Sequence, residues 1–302
     1  MSGDVVCPGC GANTVAGDLY CEACGADLQV SAAPRQPQPR DHQELDRGWA
    51  AGVCDRGLHH ERNEDALFLA ATAPGRLAVA VCDGVSSSLK ADIASQTAVN
   101  VIGRFLAELL TNGDDPTPAL TKAVAAAQDA VVAIPWVETA QMSAPSCTLV
   151  AAAVIGDVVS LCSIGDSRAY WLGSDGARQL TTDDSWAGEQ VAAGVMTESE
   201  ALADPRAHAI TRWLGTDAPT DGPHLCTFNP TAPGRLLICT DGLWNYAPTP
   251  AELVGLIAGQ PADATPLALS QALIEFALSA GGHDNITVVI ADLAPADPKG
   301  SS

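Results

Sequence analysis

The chain has 302 residues, 47% of them hydrophobic and only 4% aromatic, enough for one large domain with a core of Ala, Val, Leu and Ile plus a small accessory module. With 15 Lys+Arg against 36 Asp+Glu the formal charge is −21, which argues against nucleic acid or an anionic membrane as partner and suits divalent cations or basic peptide segments. No run approaches the roughly 18 apolar residues of a membrane span. The first residues, MSGDVVCPGC, lack the basic and apolar regions of a signal peptide, so a cytoplasmic protein is expected.

In chain order, residues 1–28 carry four cysteines as CPGC and CEAC: Cys7, Cys10, Cys21 and Cys24. Two C-x2-C knuckles supply four soft thiolates, matching the closed tetrahedral shell of structural Zn²⁺. So short a segment cannot fold on apolar burial alone, and bound metal would supply most of its stability. It resembles the zinc ribbons, which commonly dock a partner; the partner is not legible. The other six cysteines lie among apolar neighbours and read as packing. Residues 29–45, QVSAAPRQPQPRDHQEL, are polar and aperiodic, as a linker is.

The main domain is expected over residues 46–294. Strands are predicted at 49–54 and 66–71 and in the run LAVAVC, residues 77–82, which stops at Asp83-Gly84. A long amphipathic helix is predicted over 85–110, its start marked by Ser86–Ser88, and a second, opened by Pro116 and Pro118, to about Val132. Strands at 148–155 and 158–164 are joined by the tight-turn pair Gly156-Asp157, and GDSRAYWL adds another. Residues 181–216 lack a strand pattern and read as an inserted flap. Strands at 224–228 and 235–240, helices near 249–259 and 265–280, and a closing strand at 286–293 complete the domain; 295–302 reads as a disordered tail. Hairpins with grouped helices argue for packed sheets under helices rather than a doubly wound parallel sheet.

Three of these runs carry a carboxylate at one end: Asp83, Asp241 in LLICTDG, and Asp284 in HDNITVVI. A rigid sheet would hold such side chains still at its rim. Two like charges about 4 Å apart repel by roughly 4 kcal/mol at an effective dielectric near 20, so a converging set needs protons or cations. Oxygen-only ligands favour magnesium or manganese over zinc. Taken singly, each Asp-Gly pair is also an ordinary turn.

RNED (62–65), VCDG (81–84), GDSRAY (165–170), ITRWLG (210–215), TDGLWN (240–245) and GGHDNITVV (281–289) together resemble the ordered motifs of the metal-dependent protein phosphatase 2C family, in its bacterial form, over about 49–293. The resemblance implies an α+β fold: a four-layer α/β/β/α sandwich of two antiparallel sheets flanked by helices, here preceded by the small zinc ribbon. It implies two Mn²⁺ or Mg²⁺ ions activating water against phosphoserine or phosphothreonine in proteins phosphorylated by bacterial Ser/Thr kinases. By position, Asp83 would bridge both ions, with the Gly84 carbonyl completing one shell. Asp241 and Asp284 would bind the second side, Glu64 and Asp65 would act through waters, and Asp166 would share a third, weaker ion. His60 stands where the family places a phosphate-gripping arginine, leaving that contact to His60 or Arg62. Val85 replaces a histidine some members use as a general acid, and PSCT (145–148) replaces a glycine-containing SGTT. The alternative is a phosphatase-like module that binds phosphoprotein without turnover.

Overall fold

The computed structural model describes residues 5–6, 13–14 and 40–295, except 74, 113, 114, 141, 198, 199, 202 and 220. Cys7, Cys10, Cys21 and Cys24, most of the expected linker and nearly all of the tail lie outside the described residues. Two units separate, residues 1–39 and 40–302. In the first, β1 (Val5–Val6) pairs antiparallel with β2 (Asn13–Thr14).

The second unit holds two antiparallel sheets. Its strands are β3 (His42–Asp46), β4 (Ala50–Asp55), β5 (Ala66–Ala73), β6 (Arg76–Cys82), β7 (Ser146–Cys147), β8 (Leu149–Ile155), β9 (Val158–Ile164), β10 (Arg168–Gly173), β11 (Gly176–Gln179), β12 (Leu214–Gly215), β13 (His224–Phe228), β14 (Gly234–Cys239) and β15 (Ile286–Leu293). One sheet runs β11-β10-β14-β15-β4-β3 and the other β13-β9-β8-β6-β5; β7 and β12 form a separate short pair.

Strand alternation assigns the layers. In β6, Leu77, Val79 and Val81 face the opposite sheet, where they meet Ala169, Trp171, Leu236, Ile238 and Val289. The alternate residues Ala78, Ala80 and Cys82 pack under α1 (Ala91–Asn112) and α2 (Pro116–Val132). On the far side, Tyr170, Leu237, Val288 and Ile290 lie beneath α5 (Pro250–Ala258) and α6 (Pro266–Ala280). Three apolar layers between helices, two sheets and helices give the four-layer sandwich. Both faces of every central strand are covered, which is why these strands read as continuous apolar runs.

Helices start where their caps dictate. Asp115 accepts the Thr117 N–H ahead of Pro116, Thr249 and Glu252 form a capping box, and Thr265 accepts from Ala268. The first helix departs from expectation, beginning at Ala91 rather than at the serines. Residues 85–90 are held elsewhere: Val85 N–H donates to Ser146 O, Leu89 N–H to Ser143 O, and Lys90 turns at φ +57°. A second departure is β3, inside the stretch expected to be linker. It is paired residue by residue with β4, from His42 opposite Asp55 to Asp46 opposite Ala51, so the domain begins near residue 40 and not at 46. The PSCT segment forms β7, with Gly84 bridged to Cys147. The flap carries α3 (Trp186–Ala192) and a small core of Ala187, Ala201 and Ala207.

Candidate active site

Strand pairing brings the carboxylates to one rim. The end of β6 lies beside the start of β5 (Cys82 opposite Ala66), placing Asp83 next to Asp65. The end of β14 lies beside the start of β15 (Cys239 opposite Val288) and of β10 (Cys239 opposite Arg168). Asp241, Asp284 and Asp166 therefore follow or precede neighbouring strands at the same end. Asp241 opens the one-turn helix α4 (Asp241–Trp244). Asp65 and Asp166 are buried, at 2% and 5% exposure, while Asp83, Asp241, Asp284 and Glu64 are half-buried.

Uncharged neighbours place Asp65 and the backbone that carries Asp83 and Glu64. Thr240 and Thr287 hydroxyls donate to Asp65 Oδ2 at 2.9 and 2.7 Å. The Asp83 N–H donates to Thr148 Oγ1 (3.1 Å), and the Asp83 carbonyl accepts from Thr148 N–H (2.8 Å). Asn285, 2% exposed, accepts the Glu64 N–H at 2.7 Å and donates to the Arg56 and Arg62 carbonyls at 2.7 and 3.1 Å. It thereby fastens the loop 56–64 to the turn bearing Asp284. Gly84 is confined: a Cβ there would stand 2.7 Å from Ala91 O and 2.8 Å from Glu64 O.

The charges crowd one another. Burial first, then the charge of Asp284 and Asp241, pushes Asp65 up to about 8 against its two threonine hydrogen bonds. Burial and Asp284 push Asp241 up to about 7. Burial, with Asp65, Asp241, Asp284 and Asp166 around it, holds Asp83 well above the ordinary range. Asp166 is raised by burial and by Asp241, and Glu64 by burial. Asp284 goes the other way: burial would raise it, but the His60 hydrogen bond and charge and the Asn285 N–H outweigh that.

Two carboxylate oxygens, Asp65 Oδ1 and Asp241 Oδ1, are buried with no hydrogen-bond partner among the described residues. Buried polar atoms are normally satisfied, and oxygens left unmatched in an acidic cluster fit hard divalent cations. Among the described residues no three such side chains already close into a coordination shell; the rim offers a cluster, not a finished cage.

His60 Nε2 stands 3.1 Å from Asp284 Oδ1, and that hydrogen bond raises the imidazole pKa against burial. Its ring is thus engaged by a carboxylate of the cluster. Arg62 is exposed, and its side chain has no hydrogen-bond or ion-pair partner among the described residues. Sequence reasoning missed Asn285, Thr240, Thr287 and Thr148. Their only signal was adjacency: Asn285 and Thr240 flank Asp284 and Asp241 directly.

An all-oxygen acidic rim on a β-sandwich defines a candidate hard-cation centre. The chain belongs to the protein phosphatase 2C family, whose pattern matches residues 57–273. It is 32% identical over 247 residues to the serine/threonine protein phosphatase PstP of Mycobacterium tuberculosis, 82% of this chain but 45% of PstP. The chain therefore spans less than half the length of that relative. It is 29% identical over 240 residues to the serine/threonine phosphatase stp of Listeria innocua, 79% of this chain and 93% of that protein. A crystal structure of the PstP catalytic domain in complex with two manganese ions superposes with a TM-score of 0.62 at 31% identity, covering 80% of this chain and 96% of that one. Among the described residues no helix is long and apolar enough to cross a membrane.

Proposed function

We propose that this chain is a Mn²⁺- or Mg²⁺-dependent protein-serine/threonine phosphatase. The observation that carries the proposal is the gathering of Asp65, Asp83, Asp166, Asp241 and Asp284 at one rim, with two of their oxygens buried and unpartnered. Asp83, the Gly84 carbonyl, Asp241 and Asp284 would hold the cation pair, and Asp166 would contribute to a third, weaker site. Glu64 and Asp65 would act through bound water. The two manganese ions of the PstP complex support the choice of metal. Two bound cations would screen the phosphate dianion and lower the pKa of water beside them. Thr240 and Thr287 hold the Asp65 carboxylate, and Asn285 ties the Glu64 backbone to the turn bearing Asp284. No side-chain nucleophile is assigned.

The deciding assay is phosphate release from p-nitrophenyl phosphate and from a phosphothreonine peptide with manganese, against the same mixture with chelator. Manganese-dependent release is expected. A second reading, phosphoprotein binding without turnover, is favoured by His60 at the arginine position and its pairing with Asp284; retained peptide binding with no release would establish it.

His60 and Arg62 are assigned to the substrate phosphate. His60→Arg supplies a permanent charge and a two-pronged donor. It is expected to lower KM about tenfold, one charge-assisted hydrogen bond being worth about 1.5 kcal/mol, and to flatten the rise of KM with pH. An unchanged KM–pH profile rejects the assignment.

Residues 1–28 are assigned as a zinc ribbon that docks a protein partner, with Cys7, Cys10, Cys21 and Cys24 around one structural Zn²⁺. The thiolate spacing supports this, as does the β1–β2 pairing that brackets Cys7 and Cys10. The catalytic domain then spans about 40–295, with 29–39 as connection. Removing residues 1–39 is expected to abolish stoichiometric zinc, measured by metal analysis, and leave p-nitrophenyl phosphate turnover intact; loss of all turnover would make the ribbon part of the catalytic fold. A bacterial cytoplasm, with substrates of Ser/Thr kinases as targets, fits the six free cysteines of the described residues.

A further inference from the structure

Asp184 is a carboxylate outside the cation cluster, 5% exposed, and the flap is fastened through it. Its Oδ2 accepts the Gly165 N–H at 3.0 Å, the amide immediately before Asp166. Its Oδ1 accepts from the Arg212 guanidinium at 3.1 Å and lies 2.7 Å from His224 Nε2. The backbone repeats the tie: Asp184 N–H donates to Gly165 O at 2.9 Å, and Asp184 O accepts from Thr211 N–H at 2.8 Å. Arg212 continues to the carbonyls of Asp221 and Gly222. The 165–166 turn, both ends of the flap and β13 meet at this one side chain.

On the other flank of Asp166, Ser167 Oγ lies 2.9 Å from Thr148 Oγ1, the acceptor of the Asp83 N–H. Asp166 is therefore braced on one side to the Asp83 turn and on the other to the flap. Gly165 leaves no slack between them, since it turns at φ +96° and a Cβ there would stand 2.7 Å from Thr148 Cγ2. Arg212 is itself 14% exposed in its side chain. Removing one partner of so buried a pair leaves the charge of the other uncompensated.

We propose that Asp184 is a positioning residue, anchored by Arg212 and His224, that sets where Asp166 stands and hence the affinity of the cation site to which Asp166 contributes. This rests on the assignment of Asp166 as a ligand of the weaker ion. The test is equilibrium Mn²⁺ binding to the full chain, followed by electron paramagnetic resonance, for the parent and for Asp166→Asn, Asp184→Asn, Arg212→Gln and Arg212→Lys. Asp166→Asn is expected to lose the weakest site. Asp184→Asn and Arg212→Gln are expected to weaken that site about tenfold, the lower end of what loss of a supporting contact costs a metal site, without moving the tighter ones; Arg212→Lys should restore part of the loss. An unchanged ion count in Asp166→Asn would defeat the ligand assignment. Loss of a site there, with parental affinity in Asp184→Asn and Arg212→Gln, would overturn the positioning role and leave that assignment standing. If Asp184→Asn does not fold, Arg212→Gln, which spares the Gly165 hydrogen bond, decides by the same measurement.

Discussion

Asp83→Asn is expected to cut manganese-dependent turnover of a phosphothreonine peptide by about 10³-fold, while raising the thermal midpoint of the protein in chelator. The first effect follows from removing the carboxylate assigned to both ions: about 4 kcal/mol of lost transition-state charge stabilisation corresponds to three decades in rate. The second follows from the crowding at the rim. Asp83 is half-buried beside Asp65, Asp241, Asp284 and Asp166, and its ionised form is disfavoured there. An amide of the same shape relieves that repulsion. A general folding defect would move activity and stability down together, so opposite signs single out charge at the site. Turnover within tenfold of the parent would remove Asp83 from the machinery.

The second large effect concerns pH. In the metal-free protein burial and the neighbouring carboxylates push Asp65 up to about 8 and Asp241 up to about 7, from 3.8 for the ordinary side chain, and raise Asp83 and Asp166 as well. The folded state thus keeps protons that the unfolded chain has released, and unfolding free energy falls with rising pH across that window. Asp284, held below the ordinary range by His60, is ionised in the folded and the unfolded chain alike across that window and adds no slope there. In chelator the thermal midpoint is therefore expected to fall steadily from about pH 5 to pH 8. Saturating manganese takes the place of the protons and should flatten this slope. At a hundred times its dissociation constant it adds about 2.7 kcal/mol, or about 5–10 °C for a domain of this size. A midpoint in chelator that climbs from pH 5 to 8, indifferent to manganese, would contradict the proposed cation centre.

Much of this was readable before any coordinates. The β9 and β15 boundaries follow from apolar runs ended by Gly156-Asp157, Asn285 and the tail. Proline and threonine at the helix starts announced α2, α5 and α6. Asp83, Asp241 and Asp284 stood out because each ends an apolar run, and antiparallel pairing then gathers such ends at a shared rim. What stayed hidden depends on distant partners. Thr240 and Thr287 look like ordinary strand residues until Asp65, 175 and 222 positions away, accepts their hydroxyls. Ser86–Ser88 carry a helix-start signal that loses to backbone pairing with residues 143–146. His42–Asp46 shows no apolar alternation because, among the described residues, it has a partner strand on one side only.

That outer strand has a bearing on self-association. An unpaired strand flank is a template for another chain, and aggregation through it is commonly blocked by charge. HQELD presents four polar side chains out of five, and three are occupied: His42 with Asp55 at 2.7 Å, Glu44 with Gln271 at 2.8 Å, and Asp46, which accepts the Gly48 N–H at 2.8 Å. At the opposite margin GARQ is only four residues long, glycine-led, and carries Arg178. Among the described residues the larger sheet is thus guarded against added strands at both margins, and His42→Val together with Glu44→Val is expected to increase aggregation, read by light scattering.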